Sequence, residues 1–134
     1  MKFPGTPPSN LGVSRDGKLA PCSAKPNCVS SQATDKRHAV DPIAFSGSPR
    51  KAMSALRAVL KDMPRTAIIR QSKDYIQAEC ASRLLGFTDD VEFYCDAGRK
   101  VIHVRSASRL GYSDLGVNRK RIEAIRKAFS SRTA

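Results

Sequence analysis

The chain contains no tryptophan, and aromatic residues make up only 6% of its 134 residues. It also lacks an apolar run long enough to cross a bilayer as a helix, which excludes an integral membrane protein for the sequence as it stands. Its first residues lack the apolar stretch of a secretory signal. These absences predict a cytoplasmic protein, with a periplasmic location as the alternative if an export segment has been removed.

Acidic residues are scarce as well. Twelve Asp and Glu stand against 24 Lys and Arg, which gives a formal net charge of +12. Such an excess attracts polyanions through a field that carries no specificity. No nucleic-acid-binding motif accompanies the charge, so nucleic acid or an acidic membrane surface would be bound by charge alone. No feature of the sequence specifies an oligomeric state.

Histidine is represented twice, and the four cysteines do not form the close pairs typical of zinc sites. The sequence therefore predicts no metal site and no cofactor, and it shows no recognisable catalytic set. Cys22 and Cys28 are either a disulfide in an exported protein or two thiols in a cytoplasmic one. Cys80 and Cys95 occupy inward positions of predicted strands, where we expect buried thiols.

Prolines and glycines interrupt the first 48 residues, and we predict a flexible arm over residues 1–18 and a single domain over 19–134. Ser48 and Pro49 are typical of a helix start, and Pro64 of its end. The pattern predicts an α+β fold: a four-stranded antiparallel meander with two helices on one face and an irregular N-terminal segment. The predicted strands cover residues 66–71, 75–83, 91–96 and 101–106, and the last helix carries Ile122, Ile125 and Phe129 on one face.

Hairpin symmetry predicts which side chains face each other. A turn over residues 97–100 places Arg105 opposite Glu92. It also places His103 opposite Tyr94, to which we expect it to hydrogen-bond. A symmetric hairpin around residues 86–88 places Arg83 opposite Glu92 and, further along, Cys80 opposite Cys95. We therefore predict an outward row of Arg83, Glu92 and Arg105.

The stretch from residue 105 to 121 joins the last strand to the last helix and is rich in arginine, glycine and hydroxyl side chains. The first turn of a helix has unpaired N–H donors and a positive dipole end, and guanidinium groups match carboxylates and phosphates. We predict a binding site for a small anionic ligand, with the loop of residues 27–31 packed against the stretch. In this prediction Arg105, Arg109 and Arg119 bind charge, Ser113 and Asn118 fix the backbone, Glu92 orients the arginines, and Arg83, Asn27 and Ser30 complete the site.

Two other interpretations use the same residues. In the first, the arginines pair with Asp89, Asp90, Glu92 and Asp114 and simply hold the loop. In the second, the protein is a hydrolase or transferase with Asp90 or Glu92 as general base. Such a base needs a raised pKa, which the neighbouring arginines oppose.

Four segments, at residues 26–31, 82–93, 103–109 and 111–119, closely resemble the DUF1499 family of bacteria and plants. The resemblance runs in the family's order from roughly residue 18 to the end of the chain. It implies a domain that stands alone in some members and is lipid-anchored or membrane-tethered in others. It implies no activity and no catalytic residues.

Overall fold

The computed structural model describes residues 5–82 and 86–134. Within these residues the chain forms an α+β fold of six strands and two helices. The elements are β1 (Cys28–Ser30), β2 (Ile43–Ala44), α1 (Pro49–Asp62), β3 (Thr66–Gln71), β4 (Tyr75–Ala81), β5 (Thr88–Asp96), β6 (Val101–Ser108) and α2 (Val117–Thr133).

The strands form one antiparallel sheet in the order β1-β6-β5-β4-β3, and β2 pairs with β6 beside β1. The predicted α+β class, antiparallel sheet and two helices are confirmed. The predicted number of strands is wrong, because the sheet has six strands rather than four. The two additional strands contain three and two residues, too few for an alternating pattern to appear among the surrounding prolines.

Helix α1 begins and ends where its capping residues predict. The Ser48 hydroxyl accepts a hydrogen bond from the Lys51 N–H at 3.1 Å, and Pro49 occupies the first turn. Met63 is extended, with ψ of 134°, because a residue that precedes proline avoids the helical region. Helix α2 begins after Gly116, which has a left-handed backbone and no side-chain cap. Neither helix in the described part of the chain is long and apolar enough to cross a membrane.

The core lies between the helices and one face of the sheet, which we call the inner face. Alternate residues of β4, β5 and β6 point into it, as the alternation of apolar residues predicts. Cys80 and Cys95 are buried free thiols there, also as predicted, and burial raises the pKa of each. Other inner-face residues are Ile76, Val91, Phe93, Ile102 and Val104, which pack with Leu56, Leu60, Ile122, Ile125 and Phe129 of the helices.

The register between β5 and β6 is the predicted one, with Glu92 opposite Arg105 and Tyr94 opposite His103. The hydrogen bond predicted between Tyr94 and His103 is wrong. Their rings stack with centroids 6.5 Å apart, and His103 Nδ1 contacts the Ser31 hydroxyl at 3.1 Å. Ser31 directly follows β1, and it reaches His103 because β1 pairs with β6. This strand pairing was not predicted.

The predicted register between β4 and β5 is wrong. Glu92 lies opposite Gln77, and Cys80 lies opposite Asp89 rather than Cys95. Ala81 lies opposite Thr88, so the hairpin is centred earlier in the chain than the assumed turn. Arg83, the predicted partner of Glu92, lies outside the described residues.

The other face of the sheet, here called the outer face, is crossed by residues 5–19, here called the N-terminal segment. The Gly12 N–H donates a 2.7 Å hydrogen bond to Glu92, and Leu19 is buried. Gly17 has φ of +77° and lies so close to Tyr94 that an added Cβ would approach the tyrosine ring to 3.3 Å. Most of this segment belongs to the stretch predicted as an arm, and its contacts bury the polar side chains of the outer face.

Candidate anion-binding site

Arg109 lies on the outer face and is bound by two carboxylates. Its Nε and Nη2 donate 2.8 Å hydrogen bonds to the two oxygens of Asp90, and Nη2 also lies 2.6 Å from Glu79. These bonds raise the pKa of Arg109 above its ordinary value. Asp90 is 1% exposed, so the pair is held away from water. Arg109 and the carboxylates already neutralise each other's charge, which opposes a role for Arg109 in binding an external anion.

Arg105 and Glu92 form a second pair on the same face. Their closest atoms, Nη1 and Oε1, are 3.7 Å apart, and Glu92 is completely buried. Glu92 Oε2 accepts hydrogen bonds from the Tyr75 hydroxyl at 2.5 Å and from the Gly12 N–H. Burial, and then the neighbouring carboxylate, raise the pKa of Tyr75. Among the described residues, Glu92 Oε1 and Arg105 Nε have no hydrogen-bond partner.

A small cavity of about 180 Å³ separates these pairs from the N-terminal segment, and it is lined by Asp90, Arg105, Arg109 and Asn10 among others. Its wall contains the guanidinium groups of Arg105 and Arg109 and the carboxylate of Asp90. Two further carboxylates pair with these arginines: Glu92 with Arg105, and Glu79 with Arg109. The positive charge is therefore neutralised within the fold. Here the ion-pair interpretation describes Arg105 and Arg109 better than anion binding does.

Asn118 connects the loop of residues 27–31 to the arginine-rich stretch, two segments that were predicted to meet. It is fully buried at the start of α2. Its amide nitrogen lies 3.1 Å from the Asn27 carbonyl oxygen, and its side-chain oxygen accepts a 2.6 Å hydrogen bond from the Ser106 hydroxyl. It therefore ties the loop that contains Asn27 to β6 and α2. Its other side-chain partners are Ser108 at 3.0 Å, Asp114 at 2.7 Å and Arg121 at 2.6 Å.

Arg119 differs from Arg105 and Arg109 because it has no carboxylate among its partners in the described part of the chain. Its Nη1 and Nη2 donate to the backbone carbonyl oxygens of Ala39 at 2.8 Å and Arg37 at 3.0 Å. Carbonyl groups hold the guanidinium in place without cancelling its charge. Arg121, two residues further along α2 and on its sheet side, instead binds the carboxylate of Asp89 at 2.7 Å.

Arg119 lines a cavity of about 200 Å³, called the Arg119 cavity from here on. Arg37 contributes a second cation to its wall, and Gly116 contributes the start of α2. The carboxylate of Asp114 accepts hydrogen bonds from the Gly116 N–H at 2.8 Å and the Asn118 N–H at 3.3 Å, so it occupies part of the helix start. The remaining wall includes Pro26, Cys28, Val29 and Ser113.

The predicted site residues thus fall into two places. Ser113 and Arg119 line the Arg119 cavity, whereas Arg105 and Arg109 lie on the outer face. Asn27 and Ser30 are buried and hold backbone: the Asn27 amide donates to the Gly111 carbonyl oxygen, and the Ser30 hydroxyl accepts from the Gln32 N–H. Sequence reasoning missed Arg37, whose only signal is its position in a Lys-Arg pair far along the chain from α2.

Cys22 and Cys28 are joined by a disulfide, with Cα atoms 5.6 Å apart. Of the two interpretations left open by the sequence, the disulfide is the one that the structure shows. Cys28 also borders the Arg119 cavity and begins β1, so the bond fastens the chain that leads into this strand.

Breaking this disulfide is expected to lower the free energy of unfolding by about 2 kcal/mol, because the bond closes a short loop in the unfolded chain. Urea unfolding with and without dithiothreitol measures the difference. In a variant with both Cys22→Ser and Cys28→Ser, the reductant should have no effect. An unchanged midpoint for the reduced natural chain would contradict the prediction.

Within residues 5–82 and 86–134, no group of three or more His, Cys, Asp or Glu side chains is arranged to hold a metal ion. A comparison with protein families finds that residues 18–129 match the one described as "Protein of unknown function (DUF1499)". A search of the curated proteins found no match.

Proposed function

Since the chain belongs to the DUF1499 family, whose description assigns no function, we propose a role from its own contacts: a binding module for a small anionic group, held in the Arg119 cavity. The observation that carries the proposal is the pairing of Arg119 with two backbone carbonyl oxygens. A guanidinium positioned by neutral acceptors retains its charge, so it can bind an anion without first breaking an ion pair.

Electrostatics favour this cavity over the one on the outer face. Arg119 and Arg37 outnumber the single carboxylate of Asp114 at its wall, and the positive end of the α2 dipole adds to them. On the outer face the Arg109 guanidinium binds two carboxylates, and that of Arg105 faces buried Glu92. A free anion would therefore bind more favourably beside Arg119.

The size of the cavity selects the ligand class. Its volume of about 200 Å³ is below the range of roughly 300–1,000 Å³ typical of sites for drug-sized molecules. It suits a phosphate, sulfate or carboxylate group, and a larger molecule would have to extend into solvent. We propose phosphate as the reference ligand, because its tetrahedral oxygens accept the paired donors of guanidinium.

The contacts do not favour the general-base hypothesis. Both oxygens of Asp90 accept hydrogen bonds from Arg109, and Glu92 is completely buried beneath the N-terminal segment. A general base must reach the proton that it removes. Asp90 borders the outer-face cavity with both oxygens bound to Arg109, and Glu92 is buried, so we propose binding rather than catalysis.

Binding of inorganic phosphate, measured by isothermal titration calorimetry, tests the proposal. Arg119→Gln should weaken binding about tenfold or more, since a charge-assisted hydrogen bond contributes about 1.5–3 kcal/mol. Lys51→Gln, at an exposed position of helix α1, removes the same charge and should leave the affinity unchanged. Equal weakening in both variants would show that net charge alone attracts the anion, which is the charge-driven alternative.

The disulfide bears on the proposed location. A bond between Cys22 and Cys28 persists in oxidising compartments and is rare in the cytoplasm. It supports the periplasmic alternative over the cytoplasmic prediction. Labelling of free thiols in the protein isolated from its natural compartment would decide: the oxidised form leaves only Cys80 and Cys95 to react after unfolding.

A further inference from the structure

Residues 109–116, here called the β6–α2 loop, and the first residue of α2 expose four large apolar side chains. Leu110 is 45% exposed, Tyr112 66%, Leu115 86% and Val117 46%. Single apolar residues on a surface are ordinary, but a group of them on one loop indicates contact with something outside the fold.

The conformation and exposure of Leu115 do not stabilise the fold. Its backbone has φ of +54°, in the left-handed region that is unfavourable for residues other than glycine. Its side chain is nevertheless the most exposed of the large apolar residues described. A glycine would relieve the backbone and remove an apolar side chain from water, so the stability of the domain does not explain a leucine here.

Cations lie on the side of the loop that adjoins the Arg119 cavity. Arg119 holds the carbonyl oxygen of Arg37, which brings the exposed residues 36 and 37 next to the start of α2. The Asp114 N–H donates to the Pro26 carbonyl oxygen at 3.3 Å, which brings exposed Lys25 close to the same place. Lys120 follows Arg119 on the exposed side of the helix. An apolar loop therefore stands beside a basic surface that includes the Arg119 cavity.

We propose that this end of the molecule docks on an acidic phospholipid membrane. The apolar side chains of the β6–α2 loop enter the interface between headgroups and acyl chains, and a lipid phosphate occupies the Arg119 cavity. The second half of this inference rests on the proposed function, because it identifies the anion as a lipid headgroup.

An acidic bilayer matches both properties of the surface. Its interface accepts leucine and tyrosine side chains, and its negative potential attracts nearby Lys and Arg. A stable protein partner would need about 800 Å² of buried surface on this chain. One loop with four partly exposed apolar side chains offers much less, so we assign the surface to a membrane.

The test is co-sedimentation of the full chain with phosphatidylcholine vesicles that contain or lack phosphatidic acid. The natural chain should bind only the acidic vesicles, and increasing salt should weaken but not abolish the binding. Leu115→Gly should weaken it about tenfold or more, since the variant loses the burial of the leucine side chain in the membrane interface. The same variant should unfold at a higher temperature, because glycine accepts a positive φ. A weaker binder that is more stable excludes unfolding as the reason for the loss.

Two matched variants separate this inference from the proposed function. Ile69→Ser removes a 47% exposed apolar side chain from β3, at the opposite edge of the sheet, and should leave vesicle binding unchanged. Arg119→Gln should weaken both vesicle binding and calorimetric phosphate binding, whereas Leu115→Gly should leave phosphate binding intact.

The outcomes that overturn the inference are distinct. If phosphate binds but acidic vesicles do not, membrane docking is wrong and the proposed function stands. Vesicle binding that needs Leu115 but ignores Arg119 would refute the headgroup assignment. Equal losses in Leu115→Gly and Ile69→Ser would show nonspecific adsorption, and binding to vesicles without phosphatidic acid would refute the acidic requirement.

Discussion

Replacing Arg109 with methionine is expected to lower the free energy of unfolding by about 3–5 kcal/mol, the usual loss when one partner of a buried ion pair is removed. The Asp90 side chain is 2% exposed and would lose the guanidinium that binds both of its oxygens. Glu79, whose side chain is 31% exposed, can turn partly to water and would contribute less. Urea unfolding followed by circular dichroism gives the difference.

The control for Arg109 is another arginine whose ion pair is exposed to water. Arg126 pairs with Glu123, and the two side chains are 25% and 56% exposed. Arg126→Met should lower stability by about 1 kcal/mol or less through its ion pair, although it also loses contacts to backbone carbonyl groups. Adding Asp90→Asn to Arg109→Met should recover part of the loss, because it removes the uncompensated charge. Similar losses in Arg109→Met and Arg126→Met would contradict the assignment of a buried pair.

Asn118→Leu is expected to lower the free energy of unfolding by about 3 kcal/mol or more. Leucine has a similar volume but no polar atoms, so every hydrogen bond of the Asn118 side chain is lost, including those to the Asn27 carbonyl oxygen and the Ser106 hydroxyl. These two groups keep one partner each, the Ser108 N–H and Arg121. The expected value is therefore the sum of several lost hydrogen bonds, each worth about 0.5–1.5 kcal/mol. Chemical unfolding provides the measurement.

A matched substitution tests whether burial is the cause. Asn10→Leu makes the same chemical change at an exposed position of the N-terminal segment and should alter stability by less than about 0.5 kcal/mol. Phosphate binding should also weaken in Asn118→Leu, because Asn118 holds together the two loops at the Arg119 cavity. A loss no greater than that of Asn10→Leu would refute the bridging role of Asn118.

The register error shows what the sequence can determine about the sheet. The alternation of apolar residues decides which side chains point inward, whereas the partner of a strand depends on where the connection turns. Glu92 pairs with Gln77 rather than with Arg83, a displacement of six residues on the partner strand. An even displacement leaves every side chain on its own face, so the inward residues were predicted correctly despite the wrong register.

The contacts of Arg119 could not be read from the sequence. Its two carbonyl partners are 80 and 82 residues earlier in the chain, and they come close only through the pairing of β1 with β6. A strand of three residues gives no periodic signal. Sequence composition therefore identified the arginine-rich stretch, but the division between neutralised and uncompensated arginines emerges only from tertiary structure.

The contacts of the N-terminal segment indicate that the folded domain starts before the family match. The family match begins at residue 18, yet the N–H that satisfies Glu92 belongs to Gly12. Glu92 and Arg105 lie beneath residues that precede the start of the family match, so a fragment that begins there would expose these buried charged side chains to water. We therefore expect the region that folds cooperatively to extend beyond the N-terminal end of the family match.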